Sequence, residues 1–570
     1  MNEISPPTIH AGIMRPGPAA VAGRNRGDRM RSRIALAIGG FALAYMAIIG
    51  RLVIFGILGA GPGGAGYDPN AAIATGRPNL VDRNGEILAT DIKMASLYAE
   101  PRNILDPDEA TELITSVLPG LDAEQLRRRL SGEAGFVWLK REITPVQQKK
   151  IHDLGIPGVG FLTENRRFYP GGPAASHLVG LVNIDNQGIA GIEKYVDDRW
   201  LGDLHRAGFG RGEDLGAVKL SIDMRVQHVL RDELVNGMER YHAIAATGVI
   251  LDVHTGEVMA MVSLPDFDPN DPVDANKPDR LNRMSAGAYE LGSVFKSFTF
   301  AMALDSGAVR MGDRIDATHS LRIGRFTIDD FHAKHRVLTV PEVFIYSSNI
   351  GSARMALKVG QQGQQDYLAR FGLTRKVKTE IPEIAAPILP KKWSELTAMT
   401  VAFGHGIAVA PLQAAVADAA LMNGGKLIPP TFLPRTREEA DKLAVQVVKP
   451  ETSAELRYLF RLNVEKGSGK NAAVPGYLVG GKTGTAEKPE NGRYSANKRL
   501  NSFLAAFPMD DPRYAILVVL DEPKPEKQGA AATAAMNAAP VVSAVIRRAA
   551  ALLGVEPRAA DPALPLLVSN

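Results

Sequence analysis

Hydrophobic and polar positions are patterned differently in successive stretches of this chain. From Ile34 to Gly50 no charged side chain occurs, and beyond Arg51 the run LVIFGILGA continues the apolar pattern. At about 1.5 Å per residue, the span 34–59 is long enough to cross a hydrocarbon core of about 30 Å as one helix. Arg51 would reach toward the headgroups. A cleaved signal peptide has an apolar region of only about 7 to 15 residues, so an uncleaved anchor is the better reading. The following GAGPGGAGYDP cannot propagate a helix and marks a linker over 60–67.

Past the linker, strand-like and helix-like periods alternate. LVDRNGEILAT surrounds Asn84-Gly85 with apolar residues and predicts a hairpin with a type I′ turn. PDEATELITSVLPG and DAEQLRRRLSG read as helices punctuated by glycine. Together with RRFYPGGPAASHLVGLVNIDNQGIAGIEKYVDD they define an accessory domain over 68–210. GAVKLSIDMRVQHVLRDELVNGM then predicts a strand and a helix opening near Asp223, and ATGVILDVHTGEVMAMVS predicts two strands joined at a glycine turn. YLVGGKTGTAEK, NSFLAAFPM and RYAILVVLDE are three further strands, the last two separated by DDP, which favours antiparallel neighbours. APVVSAVIRRAAALLG closes this second domain, 211–555, as a helix, and a proline-dotted tail covers 556–570. The expected class is α+β.

Composition narrows the picture little. At 570 residues the chain exceeds one core, and 45% hydrophobic with 22% charged residues is ordinary for folded domains. The net charge of +4 is local, because Arg24, Arg26, Arg29, Arg31 and Arg33 crowd just before the apolar span. Such a flank stays on the cytoplasmic side, so residues 1–33 are expected inside and everything after residue 60 outside. That context outweighs a nucleic-acid reading of the arginines. The absence of cysteine excludes disulfides and thiol chemistry and fits an oxidising compartment.

Candidate chemistry lies in three short stretches of the second domain. In GSVFK a helix entered after Gly292 places Ser293 and Lys296 three residues apart on one face, where the amine can act as base to the hydroxyl if burial lowers its pKa from about 10.4. Alone this spacing is weak, and a second S-x-x-K occurs at Ser495 and Lys498 in what reads as a polar loop. YSSN adds Ser347 and Asn349, and GKTGT adds Lys482, Thr483, Gly484 and Thr485 on a probable strand. In an acyl transfer Ser347 can pass a proton to the leaving group and the Asn349 amide can hold the lysine and a substrate amide. Gly484 would let substrate backbone approach, while Lys482, Thr483 and Thr485 suit a terminal carboxylate.

S-x-x-K, S-x-N and K-T-G in this order are the signature of penicillin-interacting serine enzymes. With GRPNLVDRNGEILA, LSIDMRVQ, SSNIGSARMA and FGHGIAVAPLQ, the sequence from about 31 to 555 resembles the class B penicillin-binding proteins, and within them the FtsI-like septal D,D-transpeptidases. The resemblance implies an elongated pedestal-type accessory domain of the dimerisation kind and a periplasmic transpeptidase domain with a central antiparallel sheet flanked by helices. It implies acylation of Ser293 by the D-Ala-D-Ala end of a peptidoglycan stem peptide, backbone N–H groups of Ser293 and Thr485 as oxyanion hole, and β-lactams as mimics of the substrate. No cofactor or metal is implied. The implied partners are an FtsW-like glycosyltransferase and other division proteins, at the septum of the cytoplasmic membrane. An elongation-type transpeptidase, a non-catalytic scaffold of the division machinery, and a β-lactam sensor or hydrolase are the alternatives.

Two positions depart from the family pattern: Leu291 stands where proline is usual, and Ala410 where threonine commonly precedes Pro411. His332, His335 and His405 lack ligand spacing and read as loop or core histidines, Asp329 and Asp330 as a solvated loop at the cleft rim, and Arg166 and Arg167 as an ion-pairing site.

Overall fold

A computed structural model of the chain describes residues 38–46, 48–49, 76–201, 216–490, 493–527, 529 and 531–558. Residues 1–72 and 73–570 form two separate units. In the first, 38–46 and 48–49 are helical, with Ile38, Phe41, Leu43, Tyr45, Met46, Ile48 and Ile49 all exposed. The rest of the expected 34–59 span, the linker and the flanking arginines lie outside the described residues, among which no helix is long and apolar enough to cross a membrane.

The accessory region is built on the long strand Ile87–Ala99, which pairs antiparallel with Leu80–Val81, Val137–Ile143 and Val159–Phe168. Helices Pro107–Val117, Ala123–Leu130 and Pro145–Asp153 begin at Asp106, Asp122 and Thr144, whose side chains accept first-turn N–H groups. Their apolar faces enclose Leu97, Ile114, Leu126, Leu139 and Ile151. The hairpin at Asn84-Gly85 forms, but not through a type I′ turn. Only Gly85 has positive φ, at 92°, and the Asp82 carboxylate accepts the N–H groups of Asn84 and Glu86 at 2.7 and 2.8 Å. An aspartate-anchored loop satisfies the backbone there, so a second left-handed residue is not needed. Leu80–Val81 also pairs in parallel with Val218–Lys219, so the accessory sheet takes a strand from beyond residue 210.

Arg167 does form the expected ion-pairing site, with more partners than its own neighbourhood suggests. Glu193, fully buried, receives Arg167 Nε at 2.6 Å and Arg77 Nη2 at 2.7 Å, while Asp91 receives Arg167 at 3.0 Å and Asp197 receives Arg77. Removing one member of such a network leaves its partners charged and buried. Glu193→Ala is expected to lower stability by about 3 kcal/mol, read as a lower midpoint in thermal unfolding followed by circular dichroism.

The second domain is organised around an antiparallel sheet in the order Gly480–Glu490, Arg493–Phe507, Tyr514–Asp521, Ala245–Asp252, Val258–Leu264. Alternate residues of each strand point to opposite faces. Ala246, Ile250, Phe503, Ile516 and Val518 pack with helices Met224–Tyr241 and Ala538–Ala549. Val249, Leu251, Leu504, Leu517 and Val519 share the larger core with helices Lys296–Asp305, Pro411–Met422 and Pro450–Lys466. Every residue of Lys296–Asp305 is buried, so this helix is held by its surroundings on all sides. Ser495 and Lys498 lie on the strand Arg493–Phe507, not in a loop, because that strand runs on to pair with residues 488–490.

Candidate active site

The turn before the central helix decides where the serine points. Gly292 has φ +57°, a conformation that favours glycine, and Gly292–Phe295 is a 3-10 turn rather than the first turn of the α-helix. In a 3-10 turn residues i and i+3 eclipse, so Ser293 stands directly over Lys296. Lys296 Nζ lies 3.0 Å from Ser293 Oγ, 3.0 Å from Ser347 Oγ, 2.8 Å from Asn349 Oδ1 and 2.5 Å from the Ser347 carbonyl. Lys296 is fully buried, and burial followed by the Lys482 charge pushes its pKa well below the ordinary lysine value, with Asp330 opposing. Burial thus loosens the hold of this amine on its proton where it meets a hydroxyl.

Ser347 sits between the two lysines. Its φ of +55° is rare for a residue with a side chain, and it turns both carbonyl and hydroxyl toward Lys296. The same hydroxyl accepts from Lys482 Nζ at 3.0 Å. Lys482 is also fully buried, and burial lowers its pKa to about 7. Among the described residues the hydrogen-bond partners of both amines are hydroxyls, carbonyls and an amide oxygen, with no carboxylate among them to offset the burial of a charge.

Asn349 opens the helix Asn349–Val359, capped by Ser348. Its amide oxygen is on Lys296, as expected. One amide N–H is already given to the Asp329 carbonyl at 2.9 Å, leaving the other for a ligand. Asp329 and Asp330 are thus not merely a solvated rim. Asp330 accepts from Ser348 Oγ at 2.6 Å and Ile350 N–H at 2.9 Å, holding the S-x-N segment while acting on the charge of Lys296.

On the strand Gly480–Glu490, Thr483 Oγ1 lies 2.8 Å from Ser468 Oγ, a neighbour with no motif to announce it. Thr485 Oγ1 accepts the Ala534 N–H at 3.2 Å, which leaves its proton to donate. Gly484 has a different use from the one its motif suggests. A Cβ there would meet the Leu291 carbonyl at 2.3 Å and Ser502 Oγ at 2.4 Å, so the missing side chain lets the strand lie against the serine turn rather than against substrate. Gly484→Ala is expected to displace that strand and slow acylation by about 100-fold, measurable with a chromogenic cephalosporin.

Leu291 is fully buried where the family has proline, and its carbonyl accepts from Ser502 Oγ at 3.3 Å. Ala410 caps its helix without a side-chain hydrogen bond, and Pro411 follows at the first helical position. His332 and His335 are exposed, and His405 stacks on Tyr494 with ring centroids 4.1 Å apart. Among the described residues no group of three or more His, Cys, Asp or Glu side chains is arranged to hold a metal.

A hydroxyl on a lysine whose pKa is pushed down by burial, a second hydroxyl bridging to a second buried lysine, and a strand bearing threonines are the groups an acyl transfer to a carboxylate-ended ligand would use. Comparison with known proteins agrees with this chemistry. Residues 246–543 match the penicillin binding protein transpeptidase domain, and residues 72–203 the penicillin-binding protein dimerisation domain. The chain is 39% identical over 93% of its length to the probable peptidoglycan D,D-transpeptidase FtsI of Caulobacter vibrioides, covering 90% of that protein. It is 31% identical to Escherichia coli FtsI, with 85% of each chain covered, and 31% identical to stage V sporulation protein D of Bacillus subtilis, covering 85% of this chain and 79% of that one. The apo structure of the TP domain of Burkholderia pseudomallei penicillin-binding protein 3 superposes with TM-score 0.54 at 30% identity, over 61% of this chain and 99% of that one. The ordered motifs, the site they build and these relatives together make the chain a class B penicillin-binding protein, with a dimerisation domain followed by a transpeptidase domain.

Proposed function

We propose that this protein is a peptidoglycan D,D-transpeptidase that crosslinks stem peptides in septal wall synthesis. The observation that carries the reading is the contact of the buried, proton-poor Lys296 Nζ with Ser293 Oγ at 3.0 Å. Lys296 takes the Ser293 proton as Oγ bonds to the penultimate D-Ala carbonyl carbon, and the N–H groups of Ser293 and Thr485 receive the oxyanion. The C–N bond then breaks, the proton passes from Lys296 through Ser347 Oγ to the departing amine, and terminal D-Ala leaves. Asn349 keeps Lys296 in place and offers its remaining N–H to the donor peptide. Lys482, Thr483 and Thr485 hold the terminal carboxylate, and Gly484 seats the strand against the reacting turn. The amine of a second stem peptide attacks the acyl-enzyme and restores Ser293.

β-Lactams, which present a strained amide and a carboxylate, acylate the same serine in this reading. The FtsI names of two relatives support the septal role. The arginine-rich flank and the apolar 34–59 stretch support a single N-terminal anchor with the catalytic domain outside, where an FtsW-like glycosyltransferase and other division proteins would be met. The proposed boundaries are 68–210 for the accessory domain and 211–555 for the transpeptidase domain. Peptide mapping by mass spectrometry after brief exposure to benzylpenicillin tests the chemistry. The expected result is one adduct, on Ser293; an adduct elsewhere, or rapid release of hydrolysed drug, overturns it.

A further inference from the structure

The turn presenting Ser293 is gripped from two sides. On one side is the strand Gly480–Glu490: a Cβ on Gly292 would meet the Thr485 carbonyl at 2.8 Å, and one on Gly484 the Leu291 carbonyl at 2.3 Å. On the other is the 404–406 loop, where a Cβ on Gly404 would meet the Gly292 carbonyl at 2.2 Å. At each of these glycines the nearest atoms are backbone, with Ser502 Oγ and the Val294 side chain also close to Gly484. The separation of the two walls is set by whatever ties them together.

One side chain on the turn itself does this. Glu290, three residues before Ser293, accepts the Gly406 N–H at 3.1 Å and the Tyr494 O–H at 3.0 Å, both on Oε1. Tyr494 lies opposite Pro489, on the hairpin whose other strand carries Lys482 to Thr485. Tyr494 is partly exposed, but the desolvation of its hydroxyl at this contact, reinforced by the Glu290 charge and hydrogen bond, raises its pKa above the ordinary tyrosine range, so it stays a donor. Glu290 Oε2 is buried without a hydrogen-bond partner among the described residues, with His405 Nδ1 3.6 Å away. A carboxylate kept part-buried at that expense, with both donors on one oxygen, is placed to join walls rather than to contact solvent or ligand.

We propose that Glu290 is a positioning residue for acylation. Through Gly406 and Tyr494 it fixes the gap between the 404–406 loop and the catalytic strand, and hence the spacing of the Ser293 and Thr485 N–H groups. This rests on the transpeptidase reading above.

The test is stopped-flow acylation of the full-length protein by nitrocefin, which separates the limiting acylation rate from the apparent dissociation constant. Glu290→Ala is expected to lower the limiting rate by about 10- to 100-fold with the dissociation constant changed less than about threefold. Glu290→Gln, whose amide oxygen accepts from the same two donors, restores most of the rate. Tyr494→Phe slows acylation on its own, and adds nothing once Glu290 is alanine, because both act through one contact. A residue serving stability alone would shift the melting temperature and leave the limiting rate unmoved. Wild-type acylation rates for Glu290→Ala, or full additivity with Tyr494→Phe, overturn the proposal. If Glu290→Ala does not fold, Tyr494→Phe decides: a slower limiting rate supports it and an unchanged one overturns it. Failure of the wild type to acylate on Ser293 sinks the transpeptidase reading instead.

Discussion

Ser293→Ala is expected to yield a folded protein that benzylpenicillin no longer labels at all. In the proposed mechanism the hydroxyl is the atom that becomes bonded to the drug, so its loss removes the covalent step rather than slowing it. Stability should hardly change. Ser293 Oγ is one of four acceptors around Lys296 Nζ, and the Ser347 carbonyl, Ser347 Oγ and Asn349 Oδ1 remain. The change in unfolding free energy is expected within about 1 kcal/mol, the usual net worth of one hydrogen bond. Mass spectrometry of the intact protein gives the result directly. Labelling that persists, for instance on Ser495 in the second S-x-x-K, would show that the wrong serine has been assigned.

The sequence carried the strands of the second domain because each is a short apolar run bounded by turn residues: in Tyr514–Asp521 every residue is buried, Ile516 and Val518 in one core and Leu517 and Val519 in the other. It did not carry their order. Ala245–Asp252 lies beside Tyr514–Asp521, a pairing between residues more than 260 apart that no local pattern encodes. The three motifs that the fold brings together were legible because each combines fixed spacings. Ser468, Asp330 and Glu290 were not, since each is a single polar residue whose role comes from long-range contacts. Gly484 was legible as a glycine that matters, but the sequence could not say that a protein backbone, not a ligand, approaches it.

The two central lysines also show what the site gives up in stability. Lys482 has a folded pKa of about 7 against an ordinary 10.5, so between these values the unfolded chain binds the extra proton and stability rises with pH. Below about 7 both states carry the proton, and the full penalty of burying the ammonium is felt. Evolution of a packed core alone would have placed an apolar residue here. In the proposed mechanism its charge is needed when a carboxylate arrives, and that carboxylate raises the pKa again.

Lys296 has the opposite requirement, and this fixes the pH dependence of acylation. In the proposed mechanism it must be neutral to take the Ser293 proton, so the limiting acylation rate is expected to rise with pH as Lys296 loses its proton. Lys296→Ala is expected to lower that rate by about 1,000- to 10,000-fold, and Lys296→Arg by a similar factor, because a guanidinium stays protonated. The surroundings of Lys296 set where the rise occurs. Asp330 favours the ammonium, so Asp330→Asn should move the ascending limb to lower pH; the amide still offers Ile350 N–H an acceptor, which preserves the S-x-N segment. The descending limb should follow Lys482, whose loss of charge weakens carboxylate binding, and therefore appears in the second-order rate constant rather than in the limiting rate. Stopped-flow acylation across pH for the wild type and Asp330→Asn resolves both limbs. A limiting rate that falls with rising pH, or an ascending limb that moves upward in Asp330→Asn, would mean that some group other than Lys296 takes the proton.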